Sequence, residues 1–95
     1  MEDILWYLLA SSRGGASRAR ILRALGGRPK NANQISEELD LDYTTIRHHL
    51  DVLMENNVVK KIGDGYGDVY VYTEQVKHDR ETLQEILETV DPQES

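Results

Sequence analysis

The sequence predicts a mainly α-helical domain with a small β-hairpin, in the order α-α-α-α-β-β-α. Apolar residues recur at helical spacing in five segments, and Gly pairs or polar caps separate the first four. Two β-branched, aromatic-rich runs then flank GDGYGD, which can turn a hairpin. Ninety-five residues suit one domain, 1–95, with a modest core, and at this size oligomerisation would add stability.

The first helix, about 2–12, carries two acids in its first turn, where the helix dipole favours them. Ile4, Leu5, Trp6, Tyr7, Leu8 and Leu9 surround most of its circumference, so it must be covered on more than one side. Gly14-Gly15 breaks it. Ser17 is the expected N-cap of a second helix, 18–25, with Ile21, Leu22 and Leu25 inward and Gly26-Gly27 at its end.

Asn31 can cap a third helix, about 32–39. After the turn Leu39-Asp40-Leu41-Asp42, Asp42 caps a fourth, about 43–55, which stops at Asn56-Asn57 because Asn tolerates the left-handed region. Strands are expected over 58–62 and 69–73. A last helix, about 76–90, aligns Val76, Leu83 and Val90 at seven-residue spacing, with Ile86 and Leu87 beside them.

Charge is unevenly spread. The net charge of −6 opposes a polyanion partner at first sight. Between Ser11 and Ser36, however, lie six bases (Arg13, Arg18, Arg20, Arg23, Arg28, Lys30) and no acid. Glu74 to Ser95 holds seven acids against two bases, so the rest of the chain is nearly neutral. The absence of Cys excludes disulfides, thiolate metal sites and thiol catalysis. The apolar run in MEDILWYLLASS is too short to span a bilayer and is preceded by acids, so a cytoplasmic protein with no membrane partner is expected.

The sharpest signal is the fourth helix. Ile46, Leu50 and Leu53 define its buried stripe, which sends Tyr43, Thr44, Arg47 and His48 outward. Two helices joined by so short a turn, the second offering small polar and cationic side chains, make a helix-turn-helix that can place a recognition helix in the DNA major groove. Arg reads guanine O6 and N7 bidentately, and Thr bonds a base or packs its methyl on thymine. The competing reading is an ordinary solvated helix face.

LDYTTIRHHLDVL, followed by MENNVVKK and the GDGYGDVYVYT hairpin, resembles the winged helix-turn-helix of ArsR-like transcriptional regulators, over about 31–73. The likeness is to small prokaryotic members without a metal site. It implies a second helix entering the major groove beside a hairpin wing. By that resemblance Tyr43, Thr44, Thr45, Arg47 and His48 fall on DNA-facing or phosphate-contacting positions. Two departures stand out: Asp40 occupies a turn position often held by Gly, and the wing tip carries Asp64 and Asp68 where the family supplies Arg or Lys. Tyr66 is then the expected contact from the tip, with Lys60 and Lys61 at the hairpin base compensating.

Arg28 and Lys30, just before the third helix, are expected to meet phosphates. For Arg18, Arg20 and Arg23 two readings stay open, a flank on the phosphate backbone or pairing with surface acids. His48-His49 does not suggest a metal site, because adjacent helical residues diverge by about 100°; His49 is expected at the core's edge, bonded to backbone. No cofactor is implied, and no loop or triad suggests an enzyme.

The first and last helices hold more apolar surface than a monomer of this size is expected to cover. Ile4, Leu5, Leu8, Leu83, Leu87 and Val90 are therefore the expected interface of a twofold homodimer, which would space two recognition helices for adjacent grooves. The sequence thus predicts a dimeric, sequence-specific regulator of double-stranded DNA, a repressor by the habit of the family it resembles. The alternative is a winged helix used for protein–protein contact, motivated by the acidic wing and net charge. A third reading puts a small ligand between the terminal helices, near Trp6.

Overall fold

The computed structural model describes residues 1–63 and 67–90. Helix α1 runs Glu2–Trp6 and continues directly into a π-helical turn, Tyr7–Ser11. Helix α2 spans Gly15–Leu25, α3 Ala32–Leu39 and α4 Tyr43–Glu55; strands β1 (Val59–Ile62) and β2 (Val69–Tyr72) follow. The chain ends in α5, Glu74–His78, and α6, Arg80–Val90.

Three of these boundaries follow from side-chain caps. Asn31 and Gln34 cap α3 reciprocally, each side chain bonding the other's backbone N–H at 2.7 and 2.8 Å. Asp42 accepts from the amides of Thr44 and Thr45 at 3.0 and 3.2 Å, fixing the first turn of α4. Thr73 caps α5. In the turn between α3 and α4, Asp40 does adopt a positive φ of 54°. Asn57 closes α4 at φ 60°, which turns Val58 back to donate to Leu53 O at 2.9 Å.

Two expected boundaries move. Helix α2 starts at Gly15, with Gly14 rather than Ser17 at its N-cap position, because Gly14 takes a left-handed φ of 83°. A side chain at Gly15 would collide with the Leu9 carbonyl oxygen, so the π turn and α2 approach here as closely as backbones allow. The single last helix expected over 76–90 is two helices. Asp79 ends α5, and its carbonyl accepts from Leu83 N at 3.0 Å to start α6.

The strands pair antiparallel, Val59 opposite Tyr72 and Ile62 opposite Val69, and Tyr70 N donates to Lys30 O at 2.8 Å, tying the hairpin to the start of α3. Tyr72 donates its hydroxyl to Leu22 O, and burial pushes its pKa up to about 12.

The core is drawn from every helix, with Leu5, Ile21, Ile35, Ile46, Leu50, Val76 and Ile86 wholly inside. This corrects the expected dimer interface. Leu5, Leu8, Leu83 and Leu87 are at most 2% exposed within the single chain, because α1 and its π turn pack directly on α6. Of the six residues, Ile4 is 40% exposed and Val90 partly so. Tyr7, at 60%, extends the exposed apolar face of α1.

The basic block has a role that sequence spacing does not suggest. Arg18 Nε donates to Leu8 O at 2.9 Å, Arg20 to Leu39 O at 3.0 Å, Arg23 to Leu87 O at 3.0 Å and Lys30 Nζ to Ala24 O at 2.8 Å. Each acceptor lies in the last turn of a different helical segment, where carbonyls lack intrahelical partners and the dipole favours cations.

Candidate nucleic-acid interface

Capping by Asp42 holds the first turn of α4 so that Tyr43, Thr44, Thr45 and His48 are exposed together, with Arg47 partly exposed beside them. Arg47 Nη1 donates to the Tyr43 hydroxyl at 3.2 Å, and its guanidinium carbon lies 5.9 Å from the Tyr43 ring centroid. That hydrogen bond, then Tyr70, raises the Arg47 pKa from an already high value. Arg47 Nε is shielded from solvent and has no hydrogen-bond partner, an orphan donor beside an open cleft.

The cleft, about 260 Å³, lies where the starts of α3 and α4 meet the hairpin. Asn31, Asn33, Tyr43, Arg47, Lys61, Asp68 and Tyr70 line it. Tyr70 and Asn33 were not among the expected site residues. Nothing in the strand sequence VYVY singles out Tyr70; the fold places it, 3% exposed, in the lining of the cleft. Farther along α4, Asp51 and Glu55 are exposed, so only the first half of the helix offers a face without acids.

The remaining expected contacts are dispersed. Lys61 Nζ is 4.0 Å from Asp68 Oδ2, whereas Lys60 is exposed on the opposite face of β1. Arg28 is exposed in the loop before α3. Lys30 is half-buried, bonded to Ala24 O and paired with Glu38 at 2.8 Å, so in this conformation it is committed to the protein. Tyr66 and Asp64, at the wing tip, lie outside the described residues.

Two expectations are corrected. Arg18 is neither a phosphate flank nor a surface ion pair: it is 5% exposed and bonds Leu8 O, Ser12, Arg13 O and His49. His49 does sit at the core's edge, 8% exposed, but its partner is Arg18 Nη1, 3.3 Å from Nδ1, rather than backbone. Burial first, then Arg18 and His48, lowers the His49 pKa, so the ring is neutral and Nδ1 accepts. Among the described residues no three His, Cys, Asp or Glu side chains converge as a metal site.

Residues 16–61, which span α2 through most of β1, match the family model described as bacterial regulatory protein, arsR family. This segment resembles an arsR-family helix-turn-helix. That family is one of regulators, not enzymes. Solved structures share the wider fold. ZitR of Lactococcus lactis aligns with a TM-score of 0.66 at 16% identity, over 85% of this chain and 56% of that one. PcaV, a transcriptional regulator from Streptomyces coelicolor solved with its natural ligand, gives 0.69 at 18%, over 93% and 65%. AbfR of Staphylococcus epidermidis gives 0.69 at 20%, over 99% and 64%. The chain therefore spans less than two thirds of each of these three proteins. At such identities the likeness is one of fold, a mainly helical winged helix with a two-stranded antiparallel hairpin. No curated protein matches the sequence significantly. In the matched segment, α3 and α4 are joined by a short turn, and Tyr43, Thr44, Thr45 and His48 are exposed on the second helix.

Proposed function

We propose that the chain is a sequence-specific, double-stranded DNA-binding transcriptional regulator, acting in the cytoplasm as a homodimer and as a repressor. The observation that carries this reading is the acid-free first half of α4, where Tyr43, Thr44, Thr45 and His48 are exposed and Arg47 partly so, at the positive end of a firmly capped helix. Arg47 is the base-reading residue. It exchanges its bond to Tyr43 for a bidentate contact to guanine, and so turns its unsatisfied guanidinium toward acceptors. The exposed Ile4 of α1 and Tyr7 of the π turn that continues it support association of two copies along that face.

Selection of bound duplexes from a random DNA pool tests the reading, followed by Kd measurements at several salt concentrations. An enriched inverted repeat supports a dimeric reader of DNA. No enrichment even at low salt sinks the DNA reading.

A second reading, a winged helix that docks protein, has one observation behind it. Arg18, Arg20, Arg23 and Lys30 serve the protein's own carbonyls, which leaves few cations for phosphates on a chain of net charge −6. A gel shift of genomic fragments separates the two readings: retention at low salt favours DNA.

A further inference from the structure

Arg13 differs from its basic neighbours. It is exposed and, among the described residues, its side chain has no hydrogen-bond or ion-pair partner. Only its backbone is used, Arg13 O accepting from Arg18 Nη2 at 2.9 Å. The loop that carries it is clamped on α4: a Cβ on Gly14 would lie 2.7 Å from His49 Cε1 and 3.1 Å from Arg18 Nη1. Residues two apart on a helix point about 160° away from each other. Arg47 faces the hairpin and His49 faces the Arg13 loop, so the two structures border opposite flanks of α4.

A helix lying in the major groove, about 12 Å wide, has one phosphate strand on each side. The hairpin borders one flank of α4 and the Arg13 loop the other, and Thr45 and His48 of α4 are exposed. No acid stands in the first turn of α2, the segment that follows Arg13. We propose that Arg13 binds the DNA phosphate backbone on the strand opposite the hairpin, holding α4 in the groove from its second side. This rests on the DNA-binding reading above. The contact positions the protein and reads no base.

The test compares wild type with Arg13→Gln and Arg13→Lys on a duplex recovered by selection and on a scrambled duplex, at several KCl concentrations. Arg13→Gln is expected to weaken binding about 3- to 10-fold on both duplexes and to make the log K against log salt slope shallower by about 0.9, one phosphate's worth. Arg13→Lys keeps the wild-type slope. The side chain holds no internal bond, so thermal melts of all three should coincide. Unchanged affinity and slope in Arg13→Gln would overturn the proposal, as would a loss confined to the selected duplex. Failure of the wild type to bind any duplex is a different failure, that of the DNA reading itself.

Discussion

Arg18 Nη1 lies 3.3 Å from His49 Nδ1, joining α2 to α4 through a buried pair in which neither partner meets a carboxylate among the described residues. The same guanidinium holds Leu8 O and Arg13 O, so one side chain ties the end of α1, the loop before α2 and the back of α4 together. The pair is stable only while His49 is neutral. Protonation would set two cations against each other with little water to screen them.

The His49 pKa is lowered in the folded state, so the unfolded chain takes up a proton first as pH falls. Stability should therefore decline as pH drops through the ordinary histidine value of about 6.5 toward the lower folded one. His49→Gln, which keeps an acceptor but cannot titrate, should flatten that decline. Melting temperatures of both proteins between pH 7.5 and 5 are the measurement, and parallel curves would count against the pair as the cause.

Removing Arg18 leaves two carbonyls and an imidazole nitrogen without their donor. Arg18→Ala should cost about 2–4 kcal/mol in urea unfolding, since unsatisfied buried polar groups are expensive. Arg20→Gln removes a cap on α3 at a half-exposed position and should cost only about 0.5–1 kcal/mol. Because Arg20 serves Leu39 O, that variant should leave the salt dependence of DNA binding unchanged; a shallower slope would return Arg20 to the phosphate face.

Leu83 and Leu87 belong to the core of one chain. Leu87→Ala should destabilise by about 2–5 kcal/mol, independently of protein concentration. The exposed Tyr7 should behave oppositely: Tyr7→Glu lowers the apparent mass in sedimentation while leaving the far-ultraviolet circular dichroism spectrum intact. A Leu87→Ala effect that vanished at high concentration would move that residue back to an interface.

Arg47→Ala should weaken binding to a selected duplex roughly 5- to 150-fold and relax preference at one base position. Tyr43→Phe keeps the ring and removes only the hydroxyl that holds Arg47, so its loss should be smaller and should preserve the preference. Wild-type affinity and wild-type base preference in Arg47→Ala would remove α4 from the reading role.

Local chemistry made most of the fold legible in the sequence. Asn31 and Asp42 announce α3 and α4 because their side chains satisfy amides two or three residues away, and Asn57 ends α4 because Asn tolerates positive φ. The outward half of α4 was readable for the same reason: helical periodicity fixes which residues oppose Ile46, Leu50 and Leu53. The start at Gly15 was not, since it depends on the close approach of the Leu9 carbonyl, nor was the break at Asp79.

By itself, then, the sequence determined the helix-turn-helix and the identity of its exposed face, all set by contacts within a turn or two. Only the tertiary structure decided what became of the charges and the surplus apolar surface. Arg18, Arg20, Arg23 and Lys30 lie close together in the chain, yet their carbonyl partners stand up to 64 residues away. Whether Leu5 and Leu87 meet each other's helices or a second copy likewise depends on how α1 crosses α6. Spacing along a chain cannot encode such meetings, because helix C-termini and apolar faces acquire neighbours only when the helices pack.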